Sequence, residues 1–333
     1  MKLSFHKNHR YLFGVIFFGF LGLTALVTII PGIWVQEHNY PLPNSRPLTA
    51  QEQRGMDVYV AEGCLYCHTQ MVRPLDVDRP FGRPSAPGDY ARLKPQDIWR
   101  MTPAVLGTER TGPDLSDVTK RLPSDTWHYI HLYNPRAVVK ASVMQAYPWL
   151  FEIKERPTPE DVVVPIPQEY APSKGKVVAA QKAKDLVAYL LSLNQVPVEE
   201  SEPGAQPPAR GGAETGPGPQ VYASRCASCH QANGEGIPGT FPPLKGDPVV
   251  IDKNPERHVD AVLHGFHGAA IGGVKYGAPM PAFAQVLSDE EIAAVINHER
   301  TNWGNNAPSI TPQYVAGRRY HKAEAGEEQR RTR

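Results

Sequence analysis

Two copies of one five-residue pattern, Cys-x-x-Cys-His, constrain this chain more than any other feature of its sequence. They occupy residues 64–68 and 226–230 and contain all four cysteines of the 333 residues. The thiols are Cys64, Cys67, Cys226 and Cys229, and the histidines are His68 and His230. This spacing is the attachment pattern of c-type haem, in which two thiols bind the porphyrin edge and the histidine binds the iron. The sequence therefore predicts two covalently bound haem c groups, each holding iron.

Other uses of paired cysteines fit this chain less well. Two Cys-x-x-Cys pairs could build a tetrathiolate zinc site, and a single pair could act as a redox disulfide. Here a histidine follows each pair directly, and the two copies lie in different halves of the chain. Because the pattern uses every cysteine, none is left for a structural disulfide.

An uncharged, mostly apolar segment at residues 11–30 predicts a membrane-spanning helix, since about 20 such residues cross the hydrocarbon core. A cleaved signal peptide would have a shorter apolar region followed by a small-x-small cleavage site, whereas this segment ends at Pro31. Lys2, Lys7 and Arg10 precede it, so the positive-inside rule places the N-terminus in the cytoplasm. We expect a single-pass protein of a bacterial inner membrane with its haem domains in the periplasm.

Helix signals and composition divide the chain into parts. Thr49 is a suitable N-cap for a helix over residues 48–62, and residues 176–194 carry apolar side chains at helical spacing. Ser288 and Glu291 have the spacing of a capping box. The fold class expected is all-α, with an N-terminal transmembrane helix followed by two cytochrome c-type haem domains. The predicted parts are an anchor and stalk (1–48), a first haem domain (49–195), a Pro/Gly-rich linker (196–218), a second haem domain (219–305) and a polar tail (306–333).

Met280 is the predicted second axial ligand of the iron in the second haem domain. A thioether opposite an imidazole is the ligand pair typical of electron-transfer cytochromes c. Met280 is the only methionine of that part of the chain, and prolines flank it on both sides, which favours a rigid loop over core packing. His264 and His267 are the alternatives.

In the first haem domain four methionines compete for the same role. Met71 is too close to His68 to reach the opposite face of the haem, and Met56 lies on the predicted helix before the motif. Met144 occupies the place along the first domain that Met280 has in the second, and we predict it as the ligand. Met101 is the alternative.

An x-Pro-x-Leu pattern recurs between each haem motif and its methionine. A histidine that binds a metal normally donates its other ring N–H to a fixed acceptor. We predict that the carbonyls of two prolines accept this bond and that the two leucines pack on the porphyrin. These residues are Pro113, Leu115, Pro242 and Leu244.

Four motifs in register give the first part of the chain a resemblance to a known family. They are residues 63–74, which contain the first haem motif, then residues 110–115, 127–136 and 142–150. Together they resemble the mono-haem cytochrome c subunit of cbb₃-type haem-copper oxidases, and the predicted anchor agrees with it. In that family the methionine of the last motif is the distal ligand, which implies the same role for Met144. From residue 220 onward the chain resembles small class I cytochromes c.

The resemblance implies an electron-transfer subunit that delivers electrons to a separate, multi-helix haem-copper oxidase subunit in aerobic respiration. The implied partners are that catalytic subunit, a soluble or membrane-bound cytochrome donor, and the lipid bilayer. A net charge of +1 argues against nucleic acid as a partner. No residue is predicted to be catalytic, because one membrane span cannot hold the oxygen-reducing site. The alternatives are a nitric oxide reductase subunit, a dihaem acceptor for a periplasmic dehydrogenase, and a dihaem peroxidase.

Overall fold

A computed structural model describes residues 7–38, 47–85, 89, 105–195, 217–266, 270–271 and 274–319. The contacts divide the chain into two units, and both haem motifs belong to the second unit. Below, residues 49–85 and 106–195 are called the first haem domain, and residues 217–319 the second. Met101, His267 and residues 196–216 of the predicted linker lie outside the described part of the chain.

The N-terminal unit contains one long helix with a widened turn. It consists of α1 (His9–Thr24), a π-helical turn (Ala25–Ile29) and α2 (Ile30–His38). Pro31 lacks an N–H and its ring conflicts with the regular i→i−4 pattern, which accounts for the wider turn before it. Residues His9–Val35 are long and apolar enough to cross a membrane, with a mean hydropathy of 2.4 over their most apolar 18 residues.

The first haem domain is built around two crossing helices. Its helices are α3 (Ala50–Ala61), α4 (Val118–Arg121), α5 (Asp125–Tyr133) and α6 (Gln181–Ser192). As predicted, Thr49 caps α3, and its N–H donates to Glu52 Oε2 at 2.7 Å to complete a capping box. α3 and α6 cross at Gly55, where a Cβ would lie 1.9 Å from the Asp185 carbonyl oxygen. Only glycine permits this approach of the two backbones.

Two antiparallel strands, β1 (Phe151–Lys154) and β2 (Lys176–Ala179), follow α5, and Phe151 pairs with Ala179. The helix predicted from residue 176 is therefore wrong for its first five residues, and α6 begins only at Gln181. Val177 and Val178 are buried, and β-branched side chains favour a strand over a helix at such positions. The fold is helix-rich, and the all-α prediction is correct only in part.

The second haem domain repeats the plan of crossing helices. It contains α7 (Pro217–Val221), a π-helical turn (Tyr222–Cys226), α8 (Ala227–His230), α9 (Glu256–His264), the paired strands β3 (Ala270–Ile271) and β4 (Val274–Lys275), and α10 (Asp289–Thr301). The capping box of Ser288 and Glu291 is present at the start of α10. A Cβ on Gly218 would lie 2.3 Å from the Ala294 carbonyl oxygen, so α7 and α10 approach as α3 and α6 do.

The segment after residue 305 continues the second domain, although the sequence predicted a polar tail there. Ile310 and Val315 are 9% and 0% exposed and pack into the core formed by α7, α9 and α10. Residues 312–319 form a further helix, α11, whose Arg318 donates from Nε to Asp260 at 3.0 Å. The predicted tail therefore does not describe residues 307–319, because two large aliphatic side chains, Ile310 and Val315, five residues apart give only a weak periodic signal.

Candidate functional site

The imidazole of His68 is fixed between a carbonyl and a glycine. Its Nδ1 lies 2.8 Å from the carbonyl oxygen of Pro113, so the contact predicted from the sequence is present. Because a carbonyl only accepts, Nδ1 carries the proton and the Nε2 lone pair can bind a metal. Burial lowers the pKa of His68, which keeps the ring neutral at pH 7. A Cβ on Gly112 would lie 2.3 Å from the ring, so bare backbone forms one wall of the site.

His230 has the same surroundings in the second domain. Its Nδ1 lies 2.9 Å from the carbonyl oxygen of Pro242, and burial lowers its pKa. Gly236 adopts a left-handed φ of 62°, and a Cβ there would lie 2.4 Å from the same carbonyl oxygen. The close approach of the Gly236 backbone thus holds the acceptor of the histidine in place.

An apolar cavity lies beside His230. Its walls bring together every residue that the sequence predicted for the second site, namely Cys226, Cys229, His230, Pro242, Leu244 and Met280. Burial raises the pKa of the Cys229 thiol to about 12 and also raises that of Cys226. A flat, mostly apolar group with two vinyl carbons for the thiols and an iron for the imidazole fits this set of residues.

The loop that carries Met280 is held by a short bridge that the sequence alone did not predict. Met280 N–H donates to the Phe266 carbonyl at 2.9 Å, and Phe266 N–H donates back to the Met280 carbonyl at 3.1 Å. Gly265 has a φ of 77°, and a Cβ there would lie 2.6 Å from the Met280 carbonyl oxygen. A glycine directly after a helix is a common C-terminal signal and could have indicated this turn. The alternative ligand His264 is the last residue of α9.

The first domain places its candidate ligands on separate elements. Met144 lies in a loop after α5, half-buried, with its N–H donating to Ser142 Oγ at 3.2 Å. Met56 is buried within α3, and Met71 is 41% exposed. Leu115 is half-buried and its N–H donates to the Thr69 carbonyl at 2.8 Å, which ties the x-Pro-x-Leu segment to the residue after His68.

Two buried carboxylates organise the loop that follows the first haem motif. Asp114 Oδ2 accepts from Thr69 Oγ1 at 2.6 Å and from Met71 N–H at 2.8 Å. Asp78 accepts from Arg73 Nε at 2.9 Å, and this bond together with the neighbouring Arg110 holds the pKa of Asp78 well below its usual range. Asp114, Arg73 and Arg110 lie within the motifs that carry the family resemblance, whereas Asp78 lies outside them, and no role was predicted for any of the four. Paired Arg and Asp around a haem motif could have suggested the network.

The two haem domains touch at the second haem motif and at one further point. Trp127 on α5 donates its indole N–H to the carbonyl of Ser228, within the second motif, at 3.1 Å. Thr240 Oγ1 donates to the Pro165 carbonyl at 3.2 Å and forms a second contact. Burial lowers the pKa of His131, one turn after Trp127, to about 3, so its ring is neutral. Nothing in the sequence alone indicates these contacts, since each joins residues far apart along the chain.

Comparisons with known proteins identify a family for each haem domain. Residues 4–194 match the family described as "Cytochrome C oxidase, mono-heme subunit/FixO", and residues 216–303 match the cytochrome c family. Cytochrome c-552 of Thermus thermophilus is 48% identical over 92 residues, which are 26% of this chain and 69% of that protein. The cytochrome c subunit of alcohol dehydrogenase (quinone) from Gluconacetobacter polyoxogenes is 36% identical over 128 residues. Those residues are 37% of this chain and only 27% of the length of that relative.

Two cytochrome c-type domains, each with its Cys-x-x-Cys-His motif, imply two covalently bound haem c groups. The residues around both histidines fit that group, as described above. The chain therefore belongs to the FixO family of mono-haem cytochrome c oxidase subunits, with an additional class I cytochrome c domain, and is a cytochrome c electron-transfer subunit.

Proposed function

We propose that this chain is the electron-entry subunit of a cbb₃-type haem-copper oxidase and acts in aerobic respiration. The observation that carries the proposal is the family match, which spans both the apolar helix and the whole first haem domain. The catalytic partner would be a multi-helix subunit that reduces oxygen, and the electron donor a soluble or membrane-bound cytochrome.

The proposed iron ligands are His68 with Met144 in the first domain and His230 with Met280 in the second. When bound, haem c supplies one-electron chemistry, and histidine–methionine ligation favours its reduced state. The protein contributes the orientation of each imidazole through the carbonyls of Pro113 and Pro242. In the second domain it also contributes a largely apolar cavity that excludes water from the site.

We also propose the location and orientation of the chain. The helix His9–Val35 would anchor it once in a bacterial inner membrane, with the N-terminus in the cytoplasm. Lys7 and Arg10 lie at its N-terminal end, as the positive-inside rule requires. Both haem domains would then lie in the periplasm, where thioether attachment of haem takes place in bacteria.

A second candidate function is acceptor of electrons from a periplasmic dehydrogenase. The relatives among cytochrome c subunits of alcohol, gluconate and fructose dehydrogenases favour it. Their names describe those proteins, and this chain covers 27% or less of the length of each of them. The match over residues 4–194 is to an oxidase family instead, so we place this candidate second.

The partner can be identified directly by purifying the tagged full chain from its host membranes and sequencing the subunits that accompany it. A haem-copper subunit and cyanide-sensitive oxygen consumption would support the proposal. A nitric oxide reductase subunit, with nitric oxide consumption, or a quinone-dependent dehydrogenase would each overturn it. A tagged chain in which both Cys-x-x-Cys-His histidines are replaced serves as the control for subunits that bind only the anchor.

A further inference from the structure

Trp127 joins the two haem domains directly. Its indole N–H reaches across to Ser228, which lies between the two thiols of the second haem motif, with a donor–acceptor distance of 3.1 Å. Trp127 is only 6% exposed, so the contact is largely shielded from water. A buried indole normally finds an acceptor, and here the acceptor belongs to the other domain.

On the side of the first domain, the Trp127 ring stacks on His131 with centroids 4.6 Å apart and planes at 13°. Both residues lie on α5, one turn apart. A hydrogen bond and a ring stack thus join the second haem motif to the interior of α5 in the first haem domain.

The second domain also contacts the first domain around Trp127. Leu122, Pro123 and Ser124 of the first domain line the cavity that contains Cys229 and His230. At a second contact, a Cβ on Gly277 would lie 2.5 Å from Pro165 Cβ, so the surfaces fit closely there. Two separate contacts define one docked orientation of the domains.

We propose that Trp127 and His131 form the electronic connection between the two haem domains. The proposal deepens the electron-transfer function and holds whichever catalytic partner the chain has. One electron leaves the reduced iron of one domain and reduces the oxidised iron of the other, and no atom or proton is transferred. Electronic coupling falls steeply across gaps and is stronger through hydrogen bonds and stacked rings, so these two side chains provide a path from the second haem motif into α5 of the first domain.

Two substitutions of Trp127 distinguish electronic coupling between the haem domains from docking of one domain on the other. Trp127→Phe and Trp127→Leu both remove the N–H donor, and each should weaken docking by about two- to tenfold. Only phenylalanine keeps an aromatic ring against His131. The rate of electron equilibration is measured in the isolated full chain after rapid photoreduction. Docking is measured separately by amide hydrogen exchange of residues 118–133.

We expect equal loss of exchange protection in the two variants, with the electron rate several-fold lower for Trp127→Leu than for Trp127→Phe. Equal electron rates in the two variants would refute the connection and leave Trp127 a mechanical contact. His131→Leu, which keeps the Trp127 hydrogen bond, should slow equilibration without changing exchange protection, and an unchanged rate would also refute the proposal. Trp149→Phe and Trp149→Leu, at a 58% exposed tryptophan of the same domain, are the matched controls.

The partner subunit is absent from this experiment. Unchanged electron equilibration in the variants would refute only the role of Trp127 and His131. Co-purification of a different catalytic subunit would refute only the proposed oxidase function.

Discussion

Replacing Gly112 by alanine tests whether the backbone beside His68 determines the geometry of the first haem site. The new Cβ would lie 2.3 Å from Cε1 and 2.7 Å from both ring nitrogens of His68. No left-handed backbone is involved at Gly112, so the substitution acts through this collision alone. The imidazole must move by roughly 1 Å to restore a normal contact distance.

That movement has a cost that can be estimated. It would stretch the 2.8 Å bond from His68 to Pro113 beyond hydrogen-bonding range, at about 1 kcal/mol. Overpacking of the site adds about 1–3 kcal/mol. A total of about 2–4 kcal/mol corresponds to a fall in Tm of roughly 5–15 °C for a domain of this size. The displaced imidazole should also bind iron less strongly, which shifts the haem towards the high-spin state.

The assay combines thermal unfolding of the full chain with its absorption and electron paramagnetic resonance spectra. Gly317→Ala is the matched control, because nothing lies within 4 Å of its Cβ position and it lies in a helix. That control should keep the wild-type spectrum and gain up to about 1 kcal/mol from helix propensity. A Gly112→Ala protein with wild-type Tm and a fully low-spin spectrum would refute the reasoning.

Gly55→Ala should force α3 and α6 apart and so destabilise the first haem domain by about 1–3 kcal/mol. Amide hydrogen exchange of those two helices measures the loss, and unchanged protection would contradict the close approach of the two backbones at Gly55. Asp78→Asn should be less stable than wild type at pH 7, because two arginines hold the pKa of this carboxyl low and its ionised form stabilises the fold. That stabilisation is present above the ordinary carboxyl pKa and is lost as the pH falls, so denaturant unfolding at several pH values should show the difference shrinking in acid. Met144→Ala and Met280→Ala should each remove the methionine–iron charge-transfer absorption of one domain, and a spectrum unaffected by Met144→Ala would mean that another residue binds that iron.

Signals from residues close together in the sequence predicted much of the architecture. The haem motifs, the caps at Thr49 and Ser288 and the long apolar helix depend on neighbours within a few residues, and all are present in the structure. The x-Pro-x-Leu pattern placed Pro113 and Pro242 correctly because a repeated pattern in two domains suggests a repeated role.

The remaining features depend on contacts between distant parts of the chain. The strand Lys176–Ala179 forms because β1 pairs with it, and residue propensity alone could not exclude a longer helix. Val315 is buried by a core built from earlier segments, and the mostly polar and small residues next to it in the sequence do not indicate this. The contact between Trp127 and Ser228 joins two domains, so no local pattern predicts it.

The packing of α11 has a consequence for biosynthesis of the second domain. Val315 completes the core around α7 and α10, so this domain cannot close fully until residue 319 has been synthesised. The thiols of Cys226 and Cys229 are made 90 or so residues earlier, a delay of roughly 5–20 s at ordinary rates of translation. In a chain that crosses the membrane as it is synthesised, both thiols then reach the far side before α11 does, and haem can be attached to the open chain before the core closes over the porphyrin.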